Sequence, residues 1–173
     1  MQATNKMPVR TLLSAALAAL LVPAAAIAAI GPSTSATPYL IPNDDSVEFT
    51  SILTVGDSVM KKNKGNQTYR MSGIPDGLGA FDNGDGTISV VLAHELGSSV
   101  GVARAHGGKG AFVSKWQVRK SDLKVLNGSD LIRTAQLWNG TNYVATPGAV
   151  FNRFCSADLA ETTALYNSAT GKG

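Results

Sequence analysis

Alternation of apolar and polar residues dominates the middle of the chain and predicts β-strands. One face of "GAFVSKWQVRK" carries Phe112, Ser114, Trp116 and Val118. This period of two is that of a strand with one buried side. The turn "DNGDGT" between two apolar runs, and the pair Asn139-Gly140 between "RTAQLW" and "NYVAT", are hairpin signals. Successive antiparallel strands from residue 79 to residue 146 therefore predict a mainly β sandwich, barrel or propeller.

The first residues follow a different pattern, that of an export signal. Lys6 and Arg10 precede the apolar run "TLLSAALAALLVPAAAIAA", and Ala26 and Ala28 offer a small-residue cleavage site. The alternative is an uncleaved membrane anchor, because the run approaches the roughly 20 residues that span a bilayer. Pro23 and the many alanines favour cleavage. Residues 1–28 are therefore predicted to be a signal peptide, which places the mature protein outside the cytoplasm, secreted or periplasmic, with no stable membrane insertion.

The remainder divides into an extended segment and one β domain. Residues 29–46 are rich in proline, serine and threonine and predict an extended segment. Residues 47–173 predict a β domain that ends in one short helix, since Asp158 and Glu161 are spaced to cap a helix start.

Charge adds little to this picture. The whole chain has 15 basic and 12 acidic residues, but Lys6 and Arg10 leave with the signal peptide, so 13 basic residues remain against 12 acidic ones. A nucleic-acid partner requires a basic face, which this balance does not favour.

The segment "LAHELGSSVGVARAH" superficially resembles a zinc protease motif. The helical H-E-x-x-H pattern requires a second histidine where Ser98 stands. The preceding "GTISVVLAHE" is β-branched and alternating, which indicates a strand rather than a helix. The His94–Glu95 pair is therefore expected at a strand end.

Cys155 is the single cysteine of the chain. In an exported protein a lone thiol suggests pairing between chains, a reactive thiol or a metal ligand, whereas a buried small hydrophobe is the plain alternative. Its position just before the predicted helix predicts a lowered thiol pKa. A reactive-cysteine hydrolase using His94 or His106 would require contact between the thiol and one of these rings.

Four segments together resemble exported bacterial proteins related to the PhoX-type alkaline phosphatases. They are "GIPDGLGAFDNGDGT", "LAHELG", "RAHGGKGAFVSKW" and "FNRFCSADL". The resemblance extends from about residue 38 to the end of the chain. It implies a β-propeller that uses calcium and iron to hydrolyse phosphomonoesters, with a small phosphorylated substrate.

The resemblance also implies roles for individual residues. It assigns Glu95 to calcium and Cys155 to iron, and it places Asp76 where the family has a similar Asp-Gly pair. It assigns no catalytic residue. His94 is either a further metal-site residue or a packed histidine. Two arginines, Arg104 and Arg153, are either bidentate phosphate ligands or surface residues.

Two functions remain open at this point. The strands predicted here amount to about two blades, whereas a propeller needs at least four, so we expect an incomplete N-terminal portion of a phosphatase-like protein. The alternative is a non-catalytic exported β module that binds calcium or a partner surface.

Overall fold

The computed structural model describes residues 28–155 and Ala169. This part of the chain is mainly β and contains ten strands, joined by tight turns and by two longer segments, residues 31–48 and 95–111. The strands are β1 (Ala28–Ile30), β2 (Phe49–Ser51), β3 (Ser58–Met60), β4 (Thr68–Arg70), β5 (Pro75–Asp82), β6 (Thr87–His94), β7 (Phe112–Arg119), β8 (Val125–Asp130), β9 (Gln136–Trp138) and β10 (Tyr143–Ala145).

The largest element is a four-stranded antiparallel sheet in the order β5-β6-β7-β8. It is built as the alternating pattern predicts: along β7 every second residue is buried, from Phe112 to Val118. The "DNGDGT" turn joins β5 to β6, and Gly84 and Gly86 adopt the positive φ values that such a turn requires. The hairpin predicted around Asn139-Gly140 also forms, as β9 paired with β10.

The hydrophobic core lies between this sheet and the hairpin of β3 and β4. Its buried members come from both layers: Val59, Tyr69, Met71, Leu92, Trp116, Val118 and Val125. The rings of Tyr69 and Trp116 meet edge to face, with 5.1 Å between their centroids. Gly128 on β8 allows this approach, since a Cβ there would lie 2.5 Å from the Tyr69 ring.

The fold prediction is confirmed in its coarser part. The mainly β, antiparallel architecture is confirmed, with β1 and β2 as the one parallel pair of named strands among the described residues. Within residues 28–155 no sheet closes on itself, so the propeller is not observed. The predicted C-terminal helix and most of the predicted signal peptide lie outside the described residues. No helix in the described part is long and apolar enough to cross a membrane.

Candidate functional site

The end of β6 is anchored by a buried histidine. His94 is fully buried, its Nε2 lies 2.9 Å from the Ser114 hydroxyl, and its Nδ1 lies 3.2 Å from the Gly73 carbonyl. The ring stacks on Phe112 with 4.2 Å between centroids. Burial lowers the pKa of His94 because the charged ring would lose its hydration. The structure therefore places His94 as a packed, neutral histidine inside the sheet.

The next residue, Glu95, turns out of the sheet towards the surface. Its backbone N–H donates to the Ile74 carbonyl at 2.8 Å. Ile74 has φ of 50°, a left-handed conformation that a β-branched residue adopts only under constraint. This hydrogen bond fixes the backbone of Glu95 to the residue that precedes β5.

A bulge in β5 brings Asp76 to the same corner. Pro75 pairs with His94 and Leu78 pairs with Leu92, so two residues of β5 oppose one residue of β6. Bulges of this kind redirect side chains and are frequent beside functional sites. Asp76 lies close enough to Glu95 to add a small lowering of the Glu95 pKa.

A strap formed by residues 146–155 carries Cys155 to this corner. The Gly148 N–H donates to the His106 carbonyl at 2.8 Å, and the Arg153 N–H donates to the Leu96 carbonyl at 3.0 Å. Between these points the Ala111 N–H donates to the Phe151 carbonyl at 3.1 Å. The strap is therefore fastened along its length to the loop that joins β6 to β7.

Glycines in that loop make the close approach possible. A Cβ on Gly108 would lie 1.9 Å from the Ala149 carbonyl oxygen, and one on Gly110 would lie 2.1 Å from that of Phe151. Gly110 also has φ of 92°. The "HGGKG" segment of the sequence is thus a docking surface for the strap backbone.

At the end of the strap, three polar side chains meet. The Cys155 thiol donates to Glu95 Oε1 at 2.9 Å, and the Arg153 guanidinium donates to the same oxygen at 2.6 Å. The Glu95 side chain is 15% exposed and that of Arg153 is 62% exposed. The structure therefore brings together Glu95 and Cys155, which are 60 residues apart in the chain.

The charges at this corner reinforce one another. The hydrogen bond from Cys155 lowers the pKa of Glu95, and the Arg153 cation lowers it further. The same hydrogen bond, with the nearby carboxylate charge, raises the pKa of Cys155. The lowered thiol pKa expected from a helix start is therefore wrong for the described structure, because the carboxylate dominates the surroundings of the thiol. Cys155 is also exposed, which excludes the buried-hydrophobe alternative.

The other two residues considered from the sequence lie elsewhere. Arg104 packs its guanidinium 3.5 Å from the Phe112 ring centroid, donates to Ser72 at 2.7 Å and pairs with Asp130 at 3.7 Å. His106 is buried beside the Phe151 ring, and neither ring nitrogen has a hydrogen-bond partner among the described residues. No contact between Cys155 and a histidine is found in residues 28–155.

The donor types at the corner match part of the predicted metal chemistry. Oxygen and sulfur ligands at about 2.1 and 2.3 Å from one tetrahedral ion lie about 3.6 Å apart, so the 2.9 Å hydrogen bond between Glu95 and Cys155 would have to open to admit an ion. Thiolate suits iron or another thiophilic metal. Calcium requires six to eight oxygens, and the carboxylates of Glu95 and Asp76 are too few to hold it alone. Among the described residues no group of three or more His, Cys, Asp and Glu side chains is arranged to hold a metal ion.

Sequence reasoning missed the pairing of Arg153 with Glu95 and the role of Ser114 beneath His94. The sequence near these residues does not indicate either contact, because the partners come from distant segments of the chain. No family model, curated protein or solved structure matches this chain.

Proposed function

We propose that the chain is an exported, phosphatase-like β protein in which Glu95 and Cys155 hold a cation for phosphomonoester chemistry. The contact between these two side chains carries the proposal. The family resemblance assigns the same two residues to metals, and their juxtaposition supports that assignment. Calcium takes six to eight oxygen ligands. The proposal therefore requires further oxygen ligands in addition to Glu95, Cys155 and Asp76.

Backbone strain at the corner is a second support. Ile74 and Arg153 are two of the four non-glycine residues with positive φ in the described structure, and both border Glu95. Such conformations cost on the order of 1–3 kcal/mol and concentrate at functional sites. The strain is consistent with a corner whose geometry serves binding.

Arg153 gives the site a way to couple cation and anion. A bound cation would neutralise phosphate charge and activate an oxygen nucleophile. Placed at Glu95, it would replace the Arg153 guanidinium, whose side chain is largely exposed. The released Arg153 guanidinium could then bind phosphate oxygens in bidentate fashion, which is one of the two roles predicted for it from the sequence.

The four-stranded sheet β5–β8 supports the propeller part of the proposal. A propeller blade is a four-stranded antiparallel sheet, and β5–β8 has this form with sequential neighbours. We therefore infer that this sheet is one blade. Cleavage of the leader after Ala28 would leave Ala29 and Ile30 paired with Thr50 and Ser51, so export is compatible with the β1–β2 pair.

The cation can be tested without any enzymatic assay. Cobalt(II) or cadmium(II) added to the mature chain should produce the ultraviolet absorption of a metal–thiolate bond. Cys155→Ser should abolish the band, and Glu95→Gln should weaken metal binding at least about tenfold, as expected for one lost charged ligand. Glu48→Gln, at an exposed glutamate outside the corner, is the matched control. Because Cys155 is the single cysteine of the chain, the outcomes that would refute the site are the absence of the band in the parent chain and metal binding as tight in Glu95→Gln as in the parent.

Hydrolysis is tested separately. Phosphomonoester turnover should require added metal, stop with a chelator and fall in Cys155→Ser. A chain that binds cobalt through Cys155 but hydrolyses nothing at any calcium or iron concentration would keep the cation site and refute the phosphatase activity.

The second candidate is a non-catalytic module that binds a partner surface. The hairpin β9–β10 favours it, because Trp138 and Tyr143 stack edge to face while 57% and 67% exposed. Exposed aromatic pairs are typical anchors of protein interfaces. Loss of partner capture in Trp138→Ser, with metal binding intact, would favour this function.

A further inference from the structure

A concave site lies beside the loop that follows Glu95. It is bounded by residues 68–73 along β4 and by the loop 96–104, and we call it the β4 cleft. Its volume is about 570 Å³, within the range of small-molecule sites. Because the Glu95–Cys155 corner is not part of its lining, the cleft is a separate candidate site.

The charge of the cleft is positive. Lys61, Arg70 and Arg104 line it, against a single carboxylate, Asp130. That carboxylate is already occupied: it accepts the Tyr69 hydroxyl at 2.5 Å and the Ala105 N–H at 2.8 Å, and it pairs with Arg104. Its charge is therefore largely compensated within the protein.

The cationic side chains of the cleft, in contrast, still have N–H groups that could bind a ligand. Within residues 28–155 neither Lys61 nor Arg70 forms an ion pair; Arg70 Nε donates to the Gly56 carbonyl at 3.2 Å, and the two terminal nitrogens of its guanidinium remain for a ligand. Arg104 Nε is buried and has no hydrogen-bond partner in the same region, a condition that is unfavourable unless another group satisfies it. These three side chains favour an anionic ligand.

The lip of the cleft is apolar. Val55, Val100 and Val102 are 49%, 50% and 67% exposed, and Met71 and Leu96 lie deeper in the lining. Apolar walls around a few convergent polar groups are the usual composition of a small-molecule site. The ligand should therefore carry an apolar group beside its charge.

We propose that the β4 cleft binds a small organic oxyanion, a phosphate or carboxylate attached to an aromatic or aliphatic group. Lys61 and Arg70 provide the charge that attracts the headgroup, and the valines of the lip contact the apolar part. The proposal does not depend on the cation at Glu95.

The test uses phenylphosphonate, which cannot be hydrolysed as an ester, and benzoate, titrated into the full mature chain by calorimetry. At least one of the two should bind saturably. Lys61→Gln and Arg70→Gln should each weaken that binding about tenfold or more, since a hydrogen bond to a charged group contributes about 1.5–3 kcal/mol. Lys124→Gln, an exposed lysine outside the cleft, should leave it unchanged.

Two further variants separate this site from the metal corner. Val102→Ser should weaken phenylphosphonate binding and leave inorganic phosphate binding unaffected, because only the former has an apolar group. Binding that survives Lys61→Gln and Arg70→Gln but is lost in Glu95→Gln would place the anion at the corner and overturn the proposal. Failure of both probes to bind would also overturn it.

Discussion

Replacing Ser114 with alanine removes the centre of a buried hydrogen-bond network beneath the candidate site. The Trp116 indole N–H can only donate, and it donates to Ser114 Oγ at 2.8 Å. His94 Nδ1 faces the Gly73 carbonyl and must therefore carry a proton, so its Nε2 accepts the Ser114 hydroxyl proton at 2.9 Å. A single side chain thus satisfies two buried rings.

The cost of Ser114→Ala follows from what it leaves unpaired. Ser114 is fully buried and Trp116 is 3% exposed, so water cannot readily replace the hydroxyl. A buried donor without a partner costs about 1–3 kcal/mol, and the second lost bond adds about 1 kcal/mol. We expect a loss of about 2–4 kcal/mol in the free energy of unfolding, a large part of the roughly 5–15 kcal/mol typical of a domain.

Urea unfolding followed by tryptophan fluorescence measures this loss, and the melting temperature should fall by about 5–15 °C for a chain of this size. Ser129→Ala is the matched control, since Ser129 is only half buried and its hydroxyl forms no hydrogen bond within residues 28–155. It should change stability by less than about 0.5 kcal/mol. If the two variants unfold at the same urea concentration, the assignment of this network as stabilising is refuted.

Three other predictions concern the packing and the corner. Gly128→Ala places a Cβ 2.5 Å from an aromatic ring of the core and should lower the urea midpoint through about 1–3 kcal/mol of overpacking; an unchanged midpoint contradicts this. Gly110→Ala should detach the strap, because its Cβ would lie 2.1 Å from the Phe151 carbonyl oxygen. Alkylation of Cys155 by iodoacetamide should then become faster, while the tryptophan fluorescence of the folded protein stays unchanged. Glu95→Gln should lower the raised pKa of the Cys155 thiol, so alkylation should begin at lower pH than in the parent chain; an unshifted alkylation profile would exclude Glu95 as the cause.

The pH window of the corner follows from the same two shifts. The lowered pKa of Glu95 stabilises the docked strap above the ordinary glutamate pKa, and this contribution is lost as pH falls through the lowered value. The raised pKa of Cys155 stabilises it below the ordinary thiol pKa, and this contribution is lost as pH rises through the raised value. The protection factors of the strap amides, which correct the exchange rates for their intrinsic rise with pH, should therefore be highest between about pH 4.3 and 8.5, the two ordinary values. A monotonic trend across this range would contradict the coupling.

The sequence predicts those features of the fold that arise from neighbouring residues. The alternation along β7 predicts its buried face, and the Asn-Gly and Asp-Gly turns predict the hairpins, because strand period and turn chemistry are local properties. β3 is not predicted, because it has only three residues and one buried side chain, Val59, which is too short a pattern to show alternation. The parallel pairing of β1 with β2 is not predicted, because it joins residues 21 positions apart in the chain.

The candidate site is predicted less well for the same physical reason. A helix start after Cys155 would lower the thiol pKa, but Glu95, 60 residues earlier, reverses the direction. Arg104 could have been a phosphate ligand by residue type, yet Asp130 and the Phe112 ring already hold its guanidinium and leave only the buried Nε without a partner among the described residues. In both cases a distant partner outweighs what the local sequence indicates.

The rigidity of the sheet explains how an exposed corner can keep an unfavourable backbone. Positive φ at Ile74 and Arg153 costs on the order of 1–3 kcal/mol each and persists only where the surroundings fix it. Ile74 is held by the N–H of Glu95, and Arg153 by the carbonyl of Leu96. Glu95 and Leu96 are the two residues that follow His94, which is fully buried. The buried histidine therefore contributes to the site by fixing the strand end that constrains the two strained residues, and the Glu95 side chain projects from between them.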